Sequence, residues 1–190
     1  MPDLGAAKET LLAELREHSL VIGEVTLSSG QKASYYVDAK RALLRPTGFS
    51  ACGMIAATAA AELGAGAVGG MSIGADPVTC AALAFPEIHE LSGFFVRKQR
   101  KQHGLERWIE GPELEPGARC LIVEDVVTTG GSTVQAIERV LEEGLSVVGT
   151  LCVVDRLAGG AESIEAAGGD PLRAMVTIDE LYPERPDRGK

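Results

Sequence analysis

The sequence is poor in aromatic residues and in positive charge. Aromatic side chains make up 4% of its 190 residues, so a core has to be built mainly from Ala, Val, Leu and Ile. Such side chains suit helices packed on a parallel sheet better than an all-β sandwich. The formal net charge of −9 argues against a protein that binds nucleic acid or a membrane surface through its overall charge. We therefore expect neither partner, and any basic cluster must be local.

Long apolar runs and paired metal-binding residues are also missing. No apolar stretch approaches the roughly 18 residues of a membrane-spanning helix, and the first residues lack the basic and apolar regions of a secretory signal. We therefore expect a cytoplasmic protein. The cysteines are far apart and form no C-x-x-C pair. We expect buried free thiols, and no metal site, at Cys52, Cys80, Cys120 and Cys152.

The N-terminal part of the chain contains segments typical of helices and of a hairpin, in a length that fits one domain. Residues 6–18 have the apolar spacing of an amphipathic helix, and residues 25–44 indicate a strand, a Ser/Gly turn and a second strand. An Ala-rich helix is predicted to begin at Pro46 and to end at Gly64. Because it is apolar nearly all round, we expect it to be buried on both sides or to lie at a subunit interface.

From residue 67 onward, apolar β-branched runs alternate with helical segments. We predict strands over 67–71, 93–98, 120–125, 146–156 and 172–178, with helices that begin at Pro77, cover 131–143 and follow residue 156. This order predicts an α/β fold with a central, mostly parallel sheet flanked by helices. Ligands of such sheets bind beyond the carboxyl ends of the strands.

The stretch "VEDVVTTGGST" (123–133) has the composition of an anion-binding loop. Gly130 and Gly131 allow backbone amides to turn towards one point, and the predicted helix that follows contributes its positive end. Hydroxyl donors are added by Thr128, Thr129, Ser132 and Thr133. The sequence nevertheless contains neither G-x-x-x-x-G-K-[ST] nor a G-x-G-x-x-G after a strand, so the common nucleotide-binding loops are excluded.

Two carboxylates, Glu124 and Asp125, stand at the start of this stretch. They would repel a phosphate unless something lay between, and a ribose fits because its hydroxyls donate hydrogen bonds to carboxylates. A cationic sugar carbon would also be stabilised, since a unit pair about 4 Å apart interacts by roughly 4 kcal/mol at an effective dielectric of ~20. The pattern therefore indicates a ribose 5-phosphate unit. The alternative is an ordinary strand–helix turn whose acids cap the helix.

The segment "RKQRKQHG" (97–104) concentrates positive charge in an acidic chain. A basic loop of this kind could neutralise a departing diphosphate and exclude water from a reactive sugar cation. The alternative is a solvated charged loop. A further cation, Arg156, ends the predicted strand 146–156, where it could pair with a ligand carboxylate or, alternatively, with Asp155 at the surface.

Three segments together resemble one known family. The stretch 123–133 closely resembles the phosphoribosyl-diphosphate signature of the type I phosphoribosyltransferases. The pattern R-K-x-x-K-x-H-G at 97–104 resembles the catalytic loop of the orotate phosphoribosyltransferases within that family. Residues 27–36 resemble their orotate-side motif, where aromatic residues such as Tyr35 and Tyr36 flank the base, although these tyrosines could equally pack within a strand. The resemblance covers about residues 20–160.

This resemblance implies an activity and an organisation. It implies transfer of the 5-phosphoribosyl group from 5-phosphoribosyl 1-diphosphate to orotate, giving orotidine 5′-phosphate and diphosphate in pyrimidine biosynthesis. It implies one domain over residues 1–190, with an N-terminal helix and a small hood over the site in about 1–45 and an α/β core in about 46–180. It also implies Mg²⁺ carried on diphosphate and ribose, with no direct protein ligand, and a homodimer in which the 97–104 loop reaches the partner's site.

The resemblance also assigns residues. Those implied in binding phosphoribosyl diphosphate are Arg97, Lys98, Lys101, His103, Glu124, Asp125, Val126, Val127, Thr128, Thr129, Gly130, Gly131 and Ser132. Those implied in binding orotate are Thr128 and Arg156. Those implied in catalysis are Lys98, Lys101, His103 and Asp125, with Lys101 or His103 as the proton donor.

The sequence departs from the family pattern at two places where cations are common. Many members have a lysine where Ser28 stands, and some have a Tyr-Lys pair where Ile73 and Gly74 stand, so Lys32 or Lys40 would have to compensate. Two other functions stay open. One is a phosphoribosyltransferase for another nucleobase, which would not need an arginine at the end of strand 146–156. The other is an RNA-binding pyrimidine regulator with the same fold, against which the charge of −9 counts.

Overall fold

The computed structural model describes residues 2–26, 32–99, 107–168 and 172–188. Its strands are β1 Leu20–Thr26, β2 Lys32–Val37, β3 Ala67–Met71, β4 Ser92–Val96, β5 Ile109–Glu110, β6 Arg119–Val127, β7 Ser146–Asp155 and β8 Leu172–Thr177. Its helices are α1 Leu4–His18, α2 Lys40–Leu43, α3 Pro46–Leu63, α4 Asp76–Leu83, α5 Gly131–Glu142, α6 Gly160–Ala166 and α7 Ile178–Leu181. The predicted Ser/Gly turn between β1 and β2 lies outside these residues.

A six-stranded sheet forms the centre of the chain, in the order β5-β4-β3-β6-β7-β8. Strands β4, β3, β6, β7 and β8 are parallel, and only the two-residue edge strand β5 runs antiparallel to its neighbour. The predicted mostly parallel sheet is therefore confirmed. Strands β1 and β2 form a separate antiparallel pair within the segment predicted as the hood.

Helices cover both faces of this sheet, as predicted. Along the central strand β6, Leu121 and Val123 belong to one apolar core with α1, α3 and α4, whereas Cys120 and Ile122 belong to a second core with α5 and α6. The alternation follows from the period of two in a strand, which sends successive side chains to opposite faces. Because both faces are buried, the strand is a continuous apolar run rather than an alternating one.

The Ala-rich helix α3 matches the predicted boundaries. Pro46 occupies the first helical turn, where its missing N–H costs no hydrogen bond, and Gly64 ends the helix at φ 63°. The backbone N–H of Gly64 bonds to the carbonyls of Ala60 and Ala61, a left-handed cap that glycine adopts without steric cost. Helices α1, α2 and α4 and strand β7 all pack on α3, which accounts for its apolar character within one chain.

Three short elements were not predicted, and one prediction about cysteines is wrong. The second strand ends at Val37, and residues 40–43 form α2 because Ala42 and Leu43 turn into the core. Strand β5 and helix α7 are too short to produce a periodic pattern. Cys80 is exposed on α4, whereas the other three cysteines are buried free thiols as expected. Among the described residues, no helix is long and apolar enough to cross a membrane.

The crossing of α3 and α4 predicts that Gly53→Ala destabilises the protein. A Cβ at position 53 would overlap the carbonyl oxygen of Ala81 and the ring of Phe85. Helix propensity alone would favour alanine by about 1 kcal/mol. We expect overlap to dominate and the free energy of unfolding to fall by about 1–3 kcal/mol in urea titrations followed by circular dichroism.

Gly66→Ala is the matched control, because a Cβ at position 66 would have no heavy atom within 4 Å. Its free energy of unfolding should stay within about 0.5 kcal/mol of the parent. Equal stability of the parent and Gly53→Ala would show that the two helices can separate without cost, and the close crossing would not be a constraint on the sequence.

Candidate active site

The two predicted carboxylates lie within β6 near its carboxyl end. Glu124 is 5% exposed and Asp125 is 8% exposed, so both are largely removed from water. The strand continues through Val126 and Val127, which pair with Val154 and Asp155 of β7. The acids are therefore held by a rigid ladder, and the loop proper begins at Thr128.

Lys40 neutralises part of this acidic pair. Its Nζ lies 3.0 Å from Asp125 Oδ2 and 3.0 Å from Asp38 Oδ1. Burial opposes the charge of Lys40, but hydrogen bonds to Asp125 and Asp38 outweigh it, and the pKa of Lys40 lies above its ordinary value. Of the two lysines considered from the sequence, only this one reaches the acids, because Lys32 is exposed and paired with Glu24 at 2.8 Å.

The surroundings of Glu124 disfavour its charged form. Its burial, followed by the neighbouring charge of Asp125, raises the pKa of Glu124 well above the ordinary 4.5. Gly74, from the loop between β3 and α4, lies directly against the pair. A Cβ at that position would come within 2.6 Å of both Glu124 Oε1 and Asp125 Oδ1. The "SIGADP" loop thus contacts the carboxylates, and only a residue without a side chain fits there without moving them.

The predicted phosphate loop borders a cavity of about 370 Å³ between β6 and α5. The cavity is lined by Glu124, Val126, Val127, Thr128, Thr129, Gly130, Gly131, Ser132, Thr133 and Gln135. Gly130 has φ 80°, and α5 has no side-chain cap at its N-terminus, so its first amides remain available to an anion. The Thr133 hydroxyl is buried without a partner among the described residues. The strand, acid pair and loop are thus brought together in the predicted order.

The basic segment is described in part. Arg97 and Lys98 follow β4 and line a cavity with Ser72 and Ile73, beside the loop that contacts the acids. Arg97 pairs with Glu110 across the β4–β5 edge at 2.9 Å. Lys101 and His103, together with Arg100 and Gly104, lie outside the described residues.

The base of the basic segment is held by a residue that the sequence did not single out. Arg139 of α5 donates to the carbonyls of Arg97 and, at 3.1 Å, of Lys98. Its guanidinium carbon lies 4.2 Å from the centre of the Trp108 ring, and the Arg97 N–H donates to the Trp108 carbonyl at 2.9 Å. One arginine therefore joins the helix that follows the phosphate loop to Arg97 and Lys98, at the start of the basic segment, and to Trp108.

Arg156 follows β7, one strand from the acids. Its Nη2 donates to the Tyr35 hydroxyl at 3.0 Å, and its Nε is buried without a partner among the described residues. The alternative pairing with Asp155 is not seen, because Asp155 Oδ1 accepts from the backbone of Leu157. The backbone N–H of Arg156 donates to the backbone carbonyl of Val127 at 2.9 Å, which brings Arg156 next to Thr128. Tyr35 is buried, whereas Tyr36 is 37% exposed.

Comparison with known proteins identifies the family. Residues 74–167 match the family model described as "Phosphoribosyl transferase domain". The orotate phosphoribosyltransferase of Streptomyces avermitilis is 46% identical over 173 residues, which cover 90% of this chain and 94% of that protein. The chain belongs to the orotate phosphoribosyltransferase family. The orotate phosphoribosyltransferase of Corynebacterium glutamicum is 43% identical over a region that covers 94% of this chain and 96% of that protein.

Solved structures of the orotate phosphoribosyltransferase family have the same fold. The Mycobacterium tuberculosis enzyme in complex with Fe(III) dicitrate superposes with a TM-score of 0.81 at 40% identity, over 93% of this chain and 99% of that one. The same enzyme in complex with 5-phospho-α-D-ribosyl 1-diphosphate superposes with a TM-score of 0.77 at 36% identity, over 92% and 98% of the two chains. The fold class and the family expected from the sequence are both confirmed.

The buried carboxylate predicts a pH-dependent stability. Because the pKa of Glu124 is higher in the folded than in the unfolded chain, the folded state keeps a proton that the unfolded state loses. Stability from this group is therefore complete below the ordinary glutamate pKa and is lost as pH rises towards the raised value. We expect Glu124→Gln to gain on the parent with rising pH above about 5, by at most about 1.4 kcal/mol per pH unit.

Urea titrations of both proteins at pH 5, 6, 7 and 8 measure this difference. Glu113→Gln is the control, because its carboxylate is 83% exposed, and its difference from the parent should not change over the same range. A difference between Glu124→Gln and the parent that is constant with pH would mean that Glu124 is solvated in the folded protein.

Proposed function

We propose that this chain transfers the 5-phosphoribosyl group from 5-phosphoribosyl 1-diphosphate to orotate, giving orotidine 5′-phosphate and diphosphate in pyrimidine biosynthesis. The relatives that this chain matches over nearly their whole length are named orotate phosphoribosyltransferase. The observation in the chain itself that supports the proposal most is the arrangement at the carboxyl ends of two adjacent strands, β6 and β7. Buried carboxylates, the cavity at the start of α5 and the partly buried side chain of Arg156 lie close together there.

The phosphate and the ribose fit different parts of this arrangement. We assign the 5-phosphate to the amides and hydroxyls of residues 126–132 at the start of α5. The ribose hydroxyls would then donate to Glu124, which lines this cavity, and to Asp125, the next residue of β6. The sugar separates the phosphate from the acids, and each charge finds a partner of opposite polarity. Binding would also replace part of the water that the buried carboxylates have lost.

Bond breaking at C1 develops charge of both signs. As diphosphate departs, positive charge forms on the sugar, and the carboxylate of Asp125 would stabilise it. The departing diphosphate would be neutralised by Lys98, Lys101 and His103 of the basic segment, with Lys101 or His103 as proton donor. Arg97 would contribute to phosphoribosyl diphosphate binding from the same segment. The orotate nitrogen then forms the new bond to C1.

Magnesium would enter with the substrate. Among the described residues, no group of three or more His, Cys, Asp or Glu side chains is placed to hold a metal ion. The oxygen-rich diphosphate and ribose are the ligands that Mg²⁺ prefers, and the acid pair supplies further negative charge beside them. We therefore assign the ion to the substrate oxygens, where it would neutralise the leaving diphosphate.

Orotate is distinguished from other bases by its carboxylate. We assign that group to the Arg156 guanidinium at the end of β7; the backbone N–H of Arg156 donates to the carbonyl of Val127, which supports a shared site with Thr128 on the neighbouring strand end. Adenine, guanine and uracil carry no such group.

We further propose a cytoplasmic homodimer in which the 97–104 loop reaches the partner's site, and a single domain with hood 1–45 and core 46–180. The loop motif and the position of the β1–β2 pair support this.

Replacing Arg156 with Ala tests the base assignment. We expect kcat/KM for orotate to fall by roughly a hundredfold, because the substrate carboxylate would be buried without its cation. The KM for phosphoribosyl diphosphate should change little. Turnover is followed by the loss of orotate absorbance with phosphoribosyl diphosphate and Mg²⁺ present, and folding is checked by circular dichroism.

Arg173→Ala is the matched control, because Arg173 lies at the amino end of β8, away from the site, and within the described part of the chain its side chain pairs with Glu62 at the surface. It should leave both substrates unaffected. If Arg156→Ala consumed orotate as fast as the parent, or used a purine instead, the orotate assignment would be wrong while the ribose-phosphate assignment would stand.

A further inference from the structure

Tyr35 joins three parts of the chain that are distant in sequence. It lies on β2 and is 2% exposed. Its hydroxyl accepts from Arg156 Nη2 at 3.0 Å and donates to Asp187 Oδ2 at 3.1 Å. The edge of its ring packs on Tyr182, with centroids 5.4 Å apart. The β1–β2 pair, the end of β7 and the C-terminal segment therefore meet at one phenol.

Asp187 is itself held in place by Arg185. The guanidinium of Arg185 donates to Asp187 Oδ1 at 2.9 Å and to Asp179 Oδ1 at 2.9 Å, and its side chain is 10% exposed. Asp179 belongs to α7, which begins with a capping box between Thr177 and Glu180. This anchoring makes the last described residues part of the wall behind Arg156.

The same helix is tied to the N-terminal helix. Arg16 of α1 donates to the carbonyls of Glu180 and Leu181, and Lys8 pairs with the Glu180 carboxylate at 2.7 Å. The C-terminal segment is thus fixed from two sides. Such a segment can hold a side chain in one orientation, which a fraying terminus could not.

The direction of the hydrogen bonds follows from the chemistry of the groups. A carboxylate accepts only and a guanidinium donates only, whereas a phenol does both with a single proton. Because Asp187 takes that proton, the Tyr35 oxygen presents its lone pairs to Arg156. The guanidinium is held through Nη2, and its buried Nε stays without a partner among the described residues.

We propose that Asp187, oriented by Arg185, is a positioning residue for the orotate site and acts through Tyr35 on Arg156. The inference rests on the proposed function, since it assumes that Arg156 binds the orotate carboxylate. Asp187 does not touch the substrate. It fixes the polarity of the Tyr35 hydroxyl, and the hydroxyl fixes which edge of the guanidinium faces the ligand.

Asp187→Asn reverses this polarity with almost no change in shape. Arg185 still demands an acceptor, so the amide oxygen faces Arg185 and the NH₂ faces Tyr35. The phenol oxygen then meets donors on two sides, and its own proton has no acceptor. We expect the KM for orotate to rise about fivefold, the effect of one lost hydrogen bond, while kcat and the KM for phosphoribosyl diphosphate stay within about twofold.

A double-mutant cycle with Tyr35→Phe tests the route. The phenylalanine keeps the ring packing and removes the hydroxyl, so it should raise the KM for orotate by itself. In the Tyr35→Phe background, Asp187→Asn should then have no further effect on that KM, because the connecting group is gone. Glu62→Gln, which removes a surface carboxylate paired with Arg173 at 3.1 Å, is the control and should change neither KM.

Each other outcome would overturn the inference. If Asp187→Asn lowers the thermal midpoint but leaves the KM for orotate unchanged, the C-terminal segment serves stability alone. If the KM values of both substrates rise together, or if the two substitutions act additively, Asp187 does not act on Arg156 through Tyr35. Absence of orotate turnover by the unaltered chain would overturn the proposed function and this inference with it.

Discussion

The site depends on two neighbouring carboxylates that are buried at the end of a strand. Leaving both charged and unpaired would cost several kcal/mol, so their surroundings are constrained. Lys40 meets the need from α2, a helix of four residues that the packing of Ala42 and Leu43 holds in place. Helix α2 can approach α3 only because position 48 is glycine, where a Cβ would overlap the Ala42 carbonyl. The position of the Lys40 charge therefore depends on the close packing of α2 against α3.

The same constraint explains how acids can lie beside an anion loop. Along β6 and into α5 the polarity changes within a few residues, from the buried carboxylate of Asp125 to the uncapped amides after Gly130. A ligand with hydroxyls at one end and phosphate at the other matches this change of polarity. The N-terminal residue of α6 keeps the loop in place, since a Cβ on Gly130 would lie 2.8 Å from the Gly160 carbonyl.

The sequence was most informative where the functional residues are consecutive in the chain. Strand, acids, loop and helix follow one another in residues 119–142, and Pro46 and Gly64 delimit α3 through local backbone chemistry. Contacts between distant segments left no such pattern. Arg139 reaches a carbonyl 42 positions away, and Tyr35 and Asp187 are separated by 152 positions. These contacts depend on the sheet order and on the position of the β1–β2 pair, which no local pattern encodes. Short elements such as α2 and β5 were not predicted either, because they span too few residues to show a hydrophobic period.

The departures from the family pattern can now be connected to the acids. Lys40, one of the two lysines that could compensate, pairs with Asp125 and Asp38 at 3.0 Å each, so its charge lies against the acids. A lysine at position 74 would conflict with the same carboxylates, since even a Cβ there would approach both within 2.6 Å. Gly74 and the close acid pair are therefore linked, because a side chain at position 74 would require the two carboxylates to move. In the proposed function, positive charge for diphosphate comes from the basic segment that follows β4, whose first residues Arg139 ties to α5.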